Sequence, residues 1–221
     1  MDINLAGSGD VEICWGDGQK SKYILRSKLF VDDHIIHTYS DTTARTITIV
    51  GNDIRIFHCG GNQITYLEVS KNKVLESLSC QGNQLTSLDL SMSTELRKLE
   101  CGRNQLKMLD INKNTVLEEL GCENNQLVNL EISNNVALRR LYCWINQLAS
   151  LDASKNEELQ VLNCCKNNFS DTALNALFDT LYDRSSTTKI SAKVSIYGNP
   201  GTDDCDKTIA EGKGWEVVTK Q

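Results

Sequence analysis

The stretch LESLSCQGNQLTSLDLSMSTE, residues 75–95, recurs along the middle of the chain at a fixed step of 21 residues. The other copies in the same register are 54–74, 96–116, 117–137, 138–158 and a half copy at 159–169. A period of this length is typical of a solenoid, in which one unit cannot bury its own apolar face and stacked units share a continuous core. The copies therefore predict one repeat domain over residues 54–169.

Each copy carries a Leu-x-Cys segment that alternates apolar and polar side chains, as a strand with one buried face requires. In the copy at 75–95, Leu78 and Cys80 are predicted to point into the core and Ser79 to be exposed. Leucines later in the same copy point back into this core, which is compatible with an extended return limb as well.

One cysteine per copy occupies the same phase of the repeat, and we call this set the cysteine column: Cys59, Cys80, Cys101, Cys122, Cys143 and Cys164. A free cysteine buries like a small hydrophobe, so we expect the column to be reduced and structural. Cys14, Cys165 and Cys205 lie off the column, and a bridge between Cys165 and Cys205 is an open alternative.

An asparagine stands three residues after each of these cysteines, and this asparagine column consists of Asn62, Asn83, Asn104, Asn125, Asn146 and Asn167. A buried asparagine offers two donors and an acceptor, which can satisfy turn backbone groups that have no partner in the sheet. We therefore expect a structural role for this column.

The pattern LxxLxCxxNxLxxLDLxxNxx resembles the leucine-rich-repeat family, in particular its short nested bacterial class of 21 residues. The resemblance implies a parallel β-strand at each Leu-x-Cys, a ligand site on the exposed face of that sheet, and a bacterial cell-surface or secreted protein. The predicted fold is an α/β-type solenoid rich in β, with a β cap before the repeats and an α/β cap after them.

Residues 1–53 form the predicted β-rich N-terminal cap, because period-2 alternation at Val11 to Trp15 and at Thr46 to Val50 flanks turn residues. Trp15-Gly16-Asp17-Gly18, followed by His37-Thr38-Tyr39 and a TITI strand, resembles the polycystic-kidney-disease type of β-domain. The strands such a domain has before its Gly-Asp-Gly turn are missing here. The resemblance thus implies a shortened version that shields the first repeat.

Residues 170–221 form the predicted C-terminal cap. Apolar residues at helical spacing after Ser170 or Asp171 predict an amphipathic helix that closes the open end of the core. A strand is predicted over residues 190–197, a second short helix over 202–211 and a final strand over 215–218. Three acids lie at the start of that second helix: Asp203, Asp204 and Asp206. A metal site is one interpretation, but we prefer a favourable interaction of these acids with the helix dipole.

The chain's net charge of -6 argues against a nucleic-acid partner, which requires a basic stripe. The sequence starts without a signal peptide and contains no apolar segment long enough to cross a membrane. A surface or secreted protein would then have lost its signal sequence, and a cytoplasmic protein is the alternative. The three histidines do not have metal-ligand spacing, and neither a phosphate loop nor a nucleophile motif is present. We expect no enzyme activity, no cofactor and no metal.

A second set of residues at fixed phase is acidic, and this acidic column consists of Glu68, Asp89, Asp110, Glu131 and Asp152. Stacked carboxylates repel one another, so some group must offset their charge. Backbone N–H groups and hydroxyls of the following turn, or the lysines three residues later, are the ordinary candidates. Calcium is the sharper alternative, because it favours clustered carboxylate oxygens.

The outward positions of the sheet differ from copy to copy, and most are small or polar. Arg140, Tyr142 and Trp144 fall together near the C-terminal end, and these residue types are the most enriched in binding hot spots. With Glu100 and Glu123 they form the predicted site for a protein or glycan ligand. The alternative for Trp144 is that it only covers its neighbours. For the whole chain, the alternatives are a structural spacer in a larger surface protein and an effector enzyme with an unrecognised site.

Overall fold

The computed structural model describes residues 1–26, 34–69, 71–186 and 192–220. Its strands are β1 (Asp2–Cys14), β2 (Lys20–Leu25), β3 (Ile35–Ile36), β4 (Thr48–His58), β5 (Ser77–Ser79), β6 (Lys98–Glu100), β7 (Glu119–Gly121), β8 (Arg140–Tyr142), β9 (Val161–Asn163), β10 (Ala192–Ser195) and β11 (Trp215–Val218). Its helices are α1 (Asp171–Thr180) and α2 (Thr208–Gly212). The described strands join into one sheet in the order β11-β10-β9-β8-β7-β6-β5-β4-β1-β2, and β3 pairs with β1.

The repeats build the central part of this sheet, one short strand per copy. Each strand places a leucine at its centre, and Leu78, Leu99 and Leu120 are successive register partners without exposed surface. All pairings from β4 to β11 are parallel, so the rest of each copy must cross back to start the next strand. The predicted solenoid with a parallel sheet and a stacked leucine core is confirmed.

Two local predictions about the repeat are corrected by the structure. Ser79 is only 6% exposed, because its small side chain lies between its register partners His58 and Glu100, which are larger. The return limb carries no strand among the described residues. Neighbouring limbs share isolated hydrogen bonds, such as Gln105 N to Leu85 O at 2.9 Å, and these do not make a ladder.

The N-terminal cap is a β structure, as predicted, and it is continuous with the repeats. The long strand β1 pairs antiparallel with both β2 and β4, and the end of β4 pairs parallel with β5. β1 bends at Gly7, where a Cβ would lie 1.7 Å from Asp53 O, so only glycine fits. Trp15 is buried and stacks on His37, with ring centroids 4.5 Å apart.

The C-terminal cap combines helices and strands, as predicted. The hydroxyl of Ser170 caps α1 by accepting from Ala173 N at 3.1 Å, and Leu174, Leu177 and Phe178 are buried against the core. β10 and β11 continue the repeat sheet in parallel. The predicted strand start at Ile190 lies outside the described residues. Neither described helix is long or apolar enough to cross a membrane.

The second helix begins later than the sequence predicted. Thr202 belongs to a turn, because its hydroxyl accepts from Asn199 N and donates to Ile196 O. α2 starts only at Thr208, whose N–H and hydroxyl both donate to Asp206. Asp203 and Asp204, predicted to lie at the helix start, are therefore exposed turn residues.

Candidate functional site

The cysteine column lies on the core side of the sheet, and none of its members has exposed surface. Burial raises the pKa of Cys80 to about 12 and holds the pKa of Cys101, Cys122 and Cys143 well above the usual thiol range. All nine cysteines of the chain are free, including Cys165 and Cys205. The column consists of protonated thiols, which are poor nucleophiles.

The asparagine column hydrogen-bonds successive copies to one another. Asn104 is representative: its Nδ2 donates to Cys80 O and Cys101 O, both at 3.0 Å, and its Oδ1 accepts from Leu85 N at 3.0 Å. The same contacts recur at the other interior positions of the column. Asn199 in the C-terminal cap continues the pattern, because its Oδ1 accepts from Asn167 N at 3.0 Å.

A second asparagine column, which the sequence analysis did not single out, lies on the return limb. Asn135 Nδ2 donates to Ile111 O at 3.0 Å and to Asn114 O at 2.9 Å, and Asn156 repeats this pattern one copy later. The sequence signal was present, since Asn72, Asn114, Asn135 and Asn156 share one phase with a serine in the copy at 75–95. Asn114, Asn135 and Asn156 are buried and structural, and Asn72 is partly buried.

Four acids of the acidic column accept a hydrogen bond from the backbone of the turn that follows, and Glu68 accepts one from the Tyr66 hydroxyl. Asp89 accepts from Ser91 N at 2.9 Å, Asp110 from Asn112 N at 3.0 Å and Asp152 from Ser154 N at 2.8 Å. These bonds to turn N–H groups are the largest cause of the lowered pKa values of Asp89 and Asp152. Within the described ranges, no three His, Cys, Asp or Glu side chains converge as metal ligands.

Arg140, Tyr142 and Trp144 lie on the outer face of the sheet, and we call them the aromatic patch. Arg140 is exposed, whereas Tyr142 and Trp144 are half-buried. Cys165 occupies the same phase as Trp144 in the next copy, but unlike Trp144 it is fully buried. The patch is therefore accessible on the face where variable residues were expected to act.

Gly121 forms the floor of a pocket of about 250 Å³ on this face, which we call the Gly121 pocket. In the sheet, Gly121 is the register partner of Glu100 on one side and of Tyr142 on the other. Its walls are Gln81, Glu100, Glu119, Glu123, Tyr142 and Trp144. Four of the five predicted binding residues thus line one pocket, and Arg140 lies beside it.

A neighbouring cavity of about 300 Å³ contains Arg140 and is lined almost entirely by charged side chains. These charges pair with one another, as in Arg97 with Glu118 at 2.8 Å and Arg140 with Glu119 at 3.4 Å. Glu119 lines both cavities. Since its polar groups are already paired, this second cavity offers a ligand less than the Gly121 pocket does.

Backbone strain occurs directly beside Trp144. Ile145 has φ of +51°, a left-handed conformation that a β-branched residue rarely adopts. The same phase of other copies is occupied by Gly82, Asn124 and other residues without branching at Cβ. The backbone itself is the same in the other copies, where φ at this phase is also positive, so the copy that contributes the aromatic patch is unusual only in placing a β-branched residue there.

Comparison with known proteins places the fold but not the ligand. No protein-family model matches the chain, and no curated protein matches it. Internalin InlC2 of Listeria monocytogenes is 20% identical, with a TM-score of 0.58 over 76% of this chain and 81% of that one. Internalin InlF of the same organism is 22% identical, with a TM-score of 0.57.

The fold is a leucine-rich-repeat solenoid. The match to InlF covers 69% of this chain and only 44% of that one. A leucine-rich-repeat protein of Leptospira interrogans is also similar, at 17% identity and a TM-score of 0.46. The resemblance of the N-terminal cap to the polycystic-kidney-disease type of domain finds no support among these comparisons and stays a prediction.

Proposed function

We propose that this chain is a non-enzymatic recognition module of a bacterial surface or secreted protein. It binds a protein ligand through the aromatic patch and the Gly121 pocket. The surface assignment rests on the resemblance of the repeats to their bacterial class.

One observation carries the proposal: two half-buried aromatic side chains and an arginine border a pocket on the variable face of an otherwise uniform coil. Tryptophan, tyrosine and arginine dominate the energetics of protein interfaces. Most of the equivalent outward positions elsewhere hold small or polar residues, for example Ser79, Gly60 and Gly102. The coil is kept constant by its core, so selectivity must come from the positions that vary.

The chemistry of the pocket supports binding over catalysis. Its walls are carboxylates, an amide and two aromatic rings. The nearby column thiols are buried, and their pKa values are raised, so they are not nucleophiles at neutral pH.

The test is selection of a displayed peptide library on immobilised wild-type protein, in parallel with the Tyr142→Ala, Trp144→Ala double variant. A Tyr66→Ala, Met108→Ala variant is the matched control, because both residues are large, exposed and remote from the pocket. We expect peptides that enrich on the wild type and the control but not on the patch variant. Equal enrichment on all three proteins would overturn the proposal. A glycan array run on the same proteins detects a sugar ligand, and a patch-dependent signal there alone would replace the protein ligand.

A further inference from the structure

The Gly121 pocket is a gap one side chain wide, with acid on three sides. Gly121 has no side chain, while its register neighbour Glu100 flanks it on one edge and Tyr142 on the other. Glu119 and Glu123 stand two residues before and after it and therefore share its face. Three carboxylates and the tyrosine ring thus surround the gap, and Trp144 adds a second aromatic wall.

The protein itself balances only two of the three carboxylates around the gap. Lys98 lies 2.7 Å from Glu100 and 3.5 Å from Glu119, and Glu119 also meets Arg140 at 3.4 Å. By contrast, the half-buried carboxylate of Glu123 makes no hydrogen bond or ion pair within the described part of the chain. A partly desolvated carboxylate without a partner favours a cation that supplies one.

Two glycines leave the space that the Glu123 carboxylate occupies. A Cβ on Gly102 would lie 2.2 Å from Glu123 Oε1, and a Cβ on Gly121 would lie 3.2 Å from Glu123 Oε2. The carboxylate therefore rests over bare backbone, at the edge of the gap instead of out in solvent. Larger residues at these two positions would displace it.

We infer that the Gly121 pocket receives one basic side chain, arginine or lysine, of the protein ligand. This inference rests on the proposed function and names the chemistry that the site selects. Glu123 pairs with the incoming charge, while Tyr142 and Trp144 offer ring faces that attract a cation. The chain's net charge of -6 also draws basic partners toward it.

The test uses two capped peptides, Ac-Gly-Arg-Gly-NH2 and its citrulline analogue, which has nearly the same shape but no charge. Each is titrated into the ¹⁵N-labelled full chain and followed by ¹H–¹⁵N correlation spectra. The arginine peptide should shift the amide signals of Gly102 and Gly121 and the indole signal of Trp144, and the citrulline peptide should leave them in place. Equal shifts from both peptides, or none from either, would overturn the inference.

Two variants test whether the arginine peptide binds in the Gly121 pocket. Glu123→Gln should weaken binding of the arginine peptide by about tenfold, the size expected when a hydrogen bond to a charged group is lost. Gly121→Ala should weaken it by filling the floor, and the contact at 3.2 Å involves only the flexible end of Glu123. Glu158→Gln is the matched control, since it removes the same charge outside the pocket. Arginine binding that survives Glu123→Gln unchanged would also refute the inference.

A negative result here can be distinguished from a negative result in the test of the proposed function. If library peptides depend on the aromatic patch but the arginine peptide does not bind, the basic side chain is wrong and the binding face stands. If library peptides ignore the patch, the proposed function itself falls.

Discussion

Replacing Asn104 with alanine is the most direct test of what holds the coil together. The Asn104 side chain is 8% exposed, and its Oδ1 is the acceptor for the N–H of Leu85, a fully buried residue. Its Nδ2 donates to the carbonyls of Cys80 and Cys101. Nδ2 also donates to Gly102 O at 3.2 Å. Alanine removes all four bonds, and the shortened side chain leaves the Leu85 N–H without a partner.

The cost can be estimated bond by bond. Both carbonyls keep a second donor, because Asn83 Nδ2 also reaches Cys80 O at 2.9 Å and Asn125 Nδ2 reaches Cys101 O at 3.1 Å. The main loss is the orphaned N–H of Leu85, and with the lost Nδ2 bonds the total is about 2–4 kcal/mol of unfolding free energy.

Urea-induced unfolding followed by circular dichroism measures this loss. Asn134→Ala is the matched control, because Asn134 is exposed and, among the described residues, its side chain donates only to another exposed side chain, Asn112. The control should change the unfolding free energy by less than about 0.5 kcal/mol, as is usual for surface substitutions. An Asn104→Ala protein as stable as this control would refute the structural role of the asparagine column.

Two further outcomes follow from the geometry of the repeats. Ile145→Asn should raise the unfolding free energy by about 1 kcal/mol, because asparagine tolerates the left-handed conformation that strains isoleucine; thermal unfolding of the two proteins decides this, and a less stable variant would contradict it. Iodoacetamide applied to the native protein at pH 8 should label the half-buried Cys14 and leave the cysteine column intact, because burial raises the pKa of those thiols. Mass spectrometry reads out the labelled residues, and rapid alkylation of the column would show that these thiols are accessible.

The sequence predicts the coil well because the physical constraint repeats. A leucine at one phase must be buried in every copy, so the periodicity alone locates β5 to β9 and the core. The periodicity no longer locates the register partners where the 21-residue spacing ends. Ser195 pairs with Asn163, 32 residues earlier, because α1 is inserted between their strands. Asn199 was therefore not predicted to belong to the asparagine column, although Ile196-Tyr197-Gly198-Asn199 has the spacing of a Cys-x-x-Asn unit.

The site was only partly predictable. The aromatic patch stood out by residue type, and Glu100 and Glu123 by their outward phase. The pocket could not be predicted, because Gly121 leaves a gap only between larger side chains on the neighbouring strands. The sheet register is needed to show that these are Glu100 and Tyr142. The left-handed conformation at Ile145 and the burial of Cys165 likewise require coordinates.

In the proposed function, the uniform residues hold the coil and the variable outer face binds the ligand. Titrating a peptide selected on the wild type against wild-type protein and the Trp144→Ala variant tests this most directly. We predict a loss of affinity of at least about thirtyfold, the effect of removing a hot-spot side chain worth 2 kcal/mol or more, in a variant that stays folded. Equal affinity for both proteins would contradict the account.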